Sequence, residues 1–213
     1  VHDDTTAPTP AEPRPAPAAA PPADHPRPAR ILIVCTGNIC RSPAVERTLV
    51  HALGPDAPVR VTSAGTRAVV GAGISEPMVE LLAATGAATD AFAARQLTPE
   101  LVAESDLILT ATRAHRAEVV DLVPAAVRRV FTIRELARFI TAIDLTPVHA
   151  APWPERVSTL IALAATRRGQ TRTHPSDDDV VDPYGAGDAQ YRLSFSQLQP
   201  AVATIADALR GPG

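Results

Sequence analysis

Cysteine is scarce in this chain: Cys35 and Cys40 are the only two, five positions apart. That is no disulfide framework, and it points to a reducing compartment. Long apolar runs are missing too. Nothing approaches the roughly 18 residues of a membrane-spanning helix, and the N-terminus has no apolar signal core. A soluble, cytoplasmic protein without membrane insertion is expected. A net charge of −3 gives no electrostatic case for nucleic acid. The six histidines lack metal-ligand spacing, so no metal or other cofactor is assigned.

The 213 residues suffice for one α/β domain, or one domain with a tail. Residues 1–29 hold nine prolines and no large aliphatic residue after Val1. They cannot bury enough apolar surface to offset their ordering entropy, so a disordered tail is expected. The domain then runs over 30–213. Strand signals fall at 31–34, 59–63, 107–110 and 129–132. Helical spacing follows at about 42–53, 76–85, 112–122, 133–140, 156–168 and 190–209, with a further short helix opened by Thr98-Pro99-Glu100. In the last helix Leu193, Phe195, Leu198, Val202, Ile205 and Leu209 share an apolar side, and Pro200 predicts a kink or seam. This alternation predicts an α/β fold, a parallel sheet with helices on both faces. Ligands of such sheets sit beyond the carboxyl ends of the strands.

The first strand, Ile31-Leu32-Ile33-Val34, runs directly into Cys35-Thr36-Gly37-Asn38-Ile39-Cys40-Arg41-Ser42-Pro43. Gly37 and Asn38 are the residues best able to take positive φ. Ser42 and Pro43 suit the N-cap and first position of the next helix. A strand, a tight loop and a helix N-terminus make an anion hole from converging N–H groups and the helix dipole. Cys35 stands at its floor, where a thiolate is favoured. Arg41 offers a planar fork for two phosphate oxygens. Nucleophile and cradle together fit in-line attack on phosphorus. Displacing an alkoxide or phenolate also needs a proton donor. Asp182, stiffened by Pro183 and preceded by Val180 and Val181, is the chosen candidate. Asp177, Asp178 and Asp179 read as a solvated charge run.

Val34 to Pro43 resembles the phosphate loop of the low-molecular-weight protein tyrosine phosphatases of the bacterial type. The likeness continues through Ser63-Ala64-Gly65-Thr66, Ala94-Arg95-Gln96-Leu97-Thr98, Asp106-Leu107-Ile108-Leu109 and Asp182-Pro183-Tyr184, with an atypical insert near 141–178. The resemblance implies a three-layer, flavodoxin-like sandwich whose four strands run in the order 2-1-3-4. It implies phosphotyrosine hydrolysis through a phosphocysteine on Cys35, with Thr36 to Ser42 binding phosphate and Asp182 as general acid and base. Ser42 would support the thiolate, and Asn38 would be held left-handed through Ser63. Cys40 would be a redox partner able to form a protective disulfide.

Phe92 stands where the family often has a histidine in the loop's support, so that support must come from elsewhere. Gly185 replaces the usual second aromatic after Tyr184, leaving Tyr184 and Val69 (with Val70 beside it) as candidate substrate walls. Aliphatic walls resemble members acting on kinases of envelope polysaccharide export, which implies a phosphotyrosine protein, such as a bacterial tyrosine kinase, as partner. Trp153 in the insert could fold over the mouth. Two rival readings stay open: arsenate reduction with an external small thiol, and a non-catalytic module that binds phosphorylated ligands.

Overall fold

The computed structural model describes residues 27–153, 155–170 and 174–211. Residues 1–26 of the expected tail lie outside the described residues. Residues 27–29 belong to the fold: the Arg27 guanidinium clasps Asp106 at 2.6 Å, and Ala29 opens the first strand.

Four strands, β1 (Ala29–Cys35), β2 (Val59–Gly65), β3 (Leu107–Thr110) and β4 (Val130–Thr132), form one parallel sheet in the order β2-β1-β3-β4. This is the expected doubly wound order. Alternation along β1 explains the layering. Ile31 and Ile33 enter a large apolar layer with Leu107, Leu109 and Phe131, whereas Leu32 and Val34 enter a smaller one with Ile108 and Val130. The larger layer is roofed by α1 (Arg41–Leu53), α2 (Glu76–Ala83), α5 (Ile133–Ile140), α6 (Thr146–Ala150), α7 (Glu155–Ala165) and α9 (Asp188–Arg210). The smaller is covered by α3 (Pro99–Ala103), α4 (Arg113–Leu122) and a 3-10 turn, Pro124–Arg128. Burial on both faces is why these strands read as continuous apolar runs.

Several expectations need correction. The cap of α1 is Cys40, whose carbonyl accepts from the Ala44 N–H, while Ser42 lies inside the first turn and makes no cap bond. Ser75 precedes α2 but its hydroxyl meets the Tyr191 hydroxyl at 2.8 Å instead of capping. The helix α6 was not anticipated. Helix α9 runs unbroken through Pro200, and Leu193 is exposed while the other five apolar residues are buried. The acidic run is not free in solvent. Asp177 and Asp178 form the second half of a short helix, α8 (Pro175–Asp178), in which the Asp177 carboxylate accepts from the His174 N–H and Asp178 is buried against Arg138. Asp179 accepts from the Arg113 N–H.

Trp153 does not cover the mouth. The Arg156 guanidinium lies 5.1 Å from its ring centre and donates to the carbonyls of Leu209 and Arg210, at the far end of α9. At 1.5 Å rise per residue that end is about 27 Å from Tyr191 on the site side. Segment 146–165 packs α6 and α7 against the core and extends the domain away from the phosphate loop.

One glycine at the carboxyl edge of the sheet is required by close approach. A Cβ on Gly65 would fall inside van der Waals contact of the Thr36 carbonyl oxygen and 3.0 Å from the Asn38 nitrogen. Gly65→Ala is therefore expected to lower stability by about 1–3 kcal/mol and to weaken anion binding in the loop. Thermal unfolding and orthovanadate titration of the variant check this, and a neutral effect on both would contradict it.

Candidate active site

The loop leaving β1 turns outward-facing carbonyls to a neighbouring loop. Backbone N–H groups of Thr66, Arg67, Val69 and Ser75 donate to the carbonyls of Cys35, Thr36, Gly37 and Ile39 at 2.9–3.0 Å. With its carbonyls thus occupied, the loop keeps donors on its inner side. Among the described residues, the N–H groups of Gly37, Asn38, Ile39, Cys40 and Arg41 have no hydrogen-bond partner. Unpaired amides ahead of a helix N-terminus form an anion receptor.

Asn38 sets the loop's shape. It is the one loop residue with positive φ, at 56°; Gly37 does not need one. Its buried side chain makes three bonds. The amide nitrogen donates to Ser42 Oγ at 2.9 Å and Ser63 Oγ at 2.8 Å, and Oδ1 accepts from the Arg95 N–H at 2.9 Å. The Ser63 hydroxyl donates to Glu46 Oε2 at 2.5 Å, and Arg95 Nε donates to the Ser63 carbonyl. Glu46 and Arg95 thus supply the support that Phe92 does not. Phe92 instead lies 5.5 Å beneath the Arg47 guanidinium.

Bond directions follow from this chain of donors. Ser42 Oγ accepts from Asn38, so its own hydrogen is free for Cys35 Sγ, 3.0 Å away. That hydroxyl is placed to stabilise sulfur when it carries negative charge. Arg41 is 4% exposed. Its Nη2 bonds Asp182 at 2.6 Å and Thr36 Oγ1 at 3.4 Å, Nη1 donates to the Val180 carbonyl, and the buried Nε has no partner. A tetrahedral anion on the loop would satisfy Nε together with the free amides.

Asp182 is held at the rim. Val180 N–H donates to Ala111 O beyond β3, and Val181 N–H donates to Gln197 of α9. The carboxylate divides itself between Arg41 and the Tyr184 N–H, and its side chain stays 51% exposed. A cavity of about 130 Å³ opens here, lined by Cys35, Thr36, Gly37, Arg41, Asp182 and the walls Ile39, Val69, Tyr184 and Arg67. Tyr184 and Val69 both line this cavity. Val70 points elsewhere, largely exposed. Cys40 also reaches the cavity; its thiol is free, like that of Cys35, and burial pushes its pKa up. Roomier but open grooves along α9 contain none of these groups.

Two positions escaped the reading of the sequence. Glu46 lies one helical turn beyond Ser42, a spacing that marks it as a neighbour of the loop. His115 sits in the first turn of α4, which follows β3 at the carboxyl edge of the sheet. Its Nε2 is 2.9 Å from Thr36 Oγ1 and its Nδ1 is 2.8 Å from Thr112 Oγ1. Burial, and next the positive charge of Arg41, lower its pKa to about 4 from 6.5.

Comparison with known proteins agrees with this geometry. The family model described as low molecular weight phosphotyrosine protein phosphatase matches residues 30–146. The chain belongs to that family. Wzb of Salmonella typhi, a low molecular weight protein-tyrosine-phosphatase, is 39% identical over 95 residues, covering 45% of this chain and 62% of Wzb. The chain thus matches less than two thirds of that relative's length. Among solved structures, the YwlE arginine phosphatase of Geobacillus stearothermophilus is similar at TM-score 0.62 and 27% identity, over 86% of this chain and 94% of that one. The tyrosine phosphatase amsI of Erwinia amylovora is similar at TM-score 0.61 and 25% identity, over 84% and 92%. The family match stops short of Asp182, whose place in the site rests on its contact with Arg41.

Two outcomes are expected. Asp182 occupies a guanidinium edge that an incoming anion needs, so Asp182→Asn should tighten orthovanadate binding by about threefold, measured by titration; weaker binding would contradict this. The unfolded chain protonates His115 before the folded chain does. Its contribution to stability is therefore complete above about pH 6.5 and lost as pH falls toward 4. Between pH 7 and 4, wild type should lose on the order of 3 kcal/mol more stability than His115→Gln. Parallel denaturant curves check the difference.

Proposed function

We propose that the protein hydrolyses phosphotyrosine in proteins, or related aryl phosphate monoesters, through a phosphocysteine on Cys35. The single observation that carries this is one cavity lined by Cys35 and Arg41, whose buried Nε has no partner, at a loop whose amides at residues 37–41 have no partner among the described residues. In the first step the phosphoryl oxygens of the monoanionic ester occupy the amides and Arg41, and the Asp182 carboxylate, displaced from the guanidinium, takes up the ester's proton. The sulfur attacks phosphorus opposite the ester oxygen, the P–O bond breaks, and Asp182 gives its proton to the departing phenolate. In the second step Asp182 takes a proton from water, whose oxygen attacks phosphorus. The P–S bond breaks, and Ser42 Oγ–H receives the thiolate. The amides stabilise the equatorial oxygens in both steps.

The substrate follows from the walls. The two solved neighbours carry different substrates in their names, arginine for YwlE and tyrosine for amsI. Ile39, Val69 and Tyr184 offer an apolar slot to a phenyl ring. A phosphoarginine would bring its guanidinium beside Arg67, a like charge at the same rim. These features support the aryl ester. The expected partner is a phosphotyrosine protein, such as a bacterial tyrosine kinase, and the expected setting is the cytoplasm, whose reducing conditions preserve a catalytic thiol. Among the described residues no helix is long and apolar enough to cross a membrane.

Steady-state turnover of a phosphotyrosine peptide, phosphoarginine, and arsenate with a small thiol tests the reading. The peptide should be the best substrate. Cys35→Ser should reduce its turnover to background, and Asp182→Ala should lower kcat by about 10²–10⁴-fold. Wild-type turnover no faster than that of Cys35→Ser would leave a binding module, and preference for arsenate would leave a reductase.

A further inference from the structure

We propose that His115 is a positioning residue: through the Thr36 hydroxyl it fixes the Arg41 guanidinium in the orientation that receives phosphate. The role in hydrolysis rests on the phosphatase reading, while the effect on anion binding does not.

Arg41 has only N–H donors, so at Thr36 Oγ1 it donates and the hydroxyl oxygen accepts. The Thr36 hydrogen then needs an acceptor, and the nearest polar atom is His115 Nε2, at 2.9 Å. For Nε2 to accept, the ring proton must sit on Nδ1, where Thr112 Oγ1 at 2.8 Å can receive it. The same Thr112 oxygen caps α4 by accepting the His115 N–H, so the helix end fixes the far side of the ring. The chain reads Arg41 N–H to Thr36 Oγ–H to His115 Nε2, then His115 Nδ1–H to Thr112. The opposite tautomer would move the unmatched hydroxyl hydrogen from Thr112 to Thr36, where it would face the Arg41 guanidinium, which has only donors.

An imidazolium would aim a second cation at the oxygen that Arg41 uses. Burial opposes it: His115 is 3% exposed. The charged groups facing the ring are Arg41, Arg67, Glu118 and Asp182. With the ring neutral, the link joins two layers of the fold. Arg41 opens α1, on the larger apolar layer, and His115 belongs to α4, on the smaller one. The backbone of Thr36 is already tied through its carbonyl to the Arg67 N–H, which leaves the hydroxyl rotor as the freedom His115 removes. When phosphate displaces Asp182, Thr36 remains as a side-chain partner that can hold the guanidinium edge in register.

The test uses the full chain, with His115→Phe, His115→Gln, Thr36→Val and the double variant His115→Phe/Thr36→Val. Kinetics on para-nitrophenyl phosphate, equilibrium binding of orthovanadate and thermal unfolding are measured on each. His115→Phe keeps a ring but no acceptor, and should raise KM and the vanadate Kd by about fivefold to tenfold, the effect of one neutral hydrogen bond. Thr36→Val should match it, and the double variant should be no worse than either single. His115→Gln, whose amide oxygen can take the Thr36 proton, should restore most of the affinity. Unchanged KM and Kd in His115→Phe with a lowered Tm would overturn the proposal, as would effects that multiply in the double variant. If His115→Phe fails to fold, Thr36→Val and His115→Gln decide: normal vanadate affinity in the first, or a loss in the second, would contradict it. Weakened vanadate binding in an inactive wild-type background would sustain the positioning role while removing the hydrolytic reading.

Discussion

A single buried carboxamide holds the reactive loop in shape. Asn38 adopts a left-handed backbone that asparagine tolerates better than most residues, and the fold compensates with three hydrogen bonds to its side chain. Those bonds tie together β2 through Ser63, α1 through Ser42, and the segment before α3 through Arg95. The turn they enforce pushes loop carbonyls outward to the 66–75 loop and leaves the amides of residues 37–41 without partners among the described residues. Such N–H groups make an anion over Cys35 favourable.

In the absence of an anion, Asp182 is the anion that Arg41 holds. The pair at 2.6 Å joins the late Asp-Pro loop to the early phosphate loop across 141 positions of sequence. It keeps the guanidinium compensated in a site where an unpaired charge would be costly. The same contact places the carboxylate at the rim, beside Tyr184, where a leaving oxygen would emerge. In the proposed mechanism binding and proton transfer are thereby linked, because an anion that takes Arg41 also releases Asp182.

Much of this was legible in the residues. The branched runs of β1 and β3 announced strands buried on both faces, and the Cys35 to Arg41 spacing located the loop. Asp182 was singled out because Asp-Pro after two apolar anchors reads as a stiff turn, and its carboxylate meets Arg41. What escaped was mostly set by tertiary partners. Ser42 and Ser75 look like helix caps, yet each hydroxyl has a better partner across the fold, Cys35 and Tyr191. The acidic run looks solvated until Arg138 and the Arg113 amide meet it. Trp153 was free to be a lid on sequence grounds, but Arg156 anchors it at the opposite end of α9. Glu46 carries no motif beyond its helical spacing from Ser42, and only topology brings His115 to the loop.

The most direct measurement is a crystal structure with orthovanadate bound. The predicted result is a vanadium–sulfur bond to Cys35, equatorial oxygens on the amides of residues 37–41 and on Arg41 Nε, and Asp182 withdrawn from the guanidinium. Vanadate bound elsewhere, with Asp182 still on Arg41 and no contact to Cys35, would contradict the account.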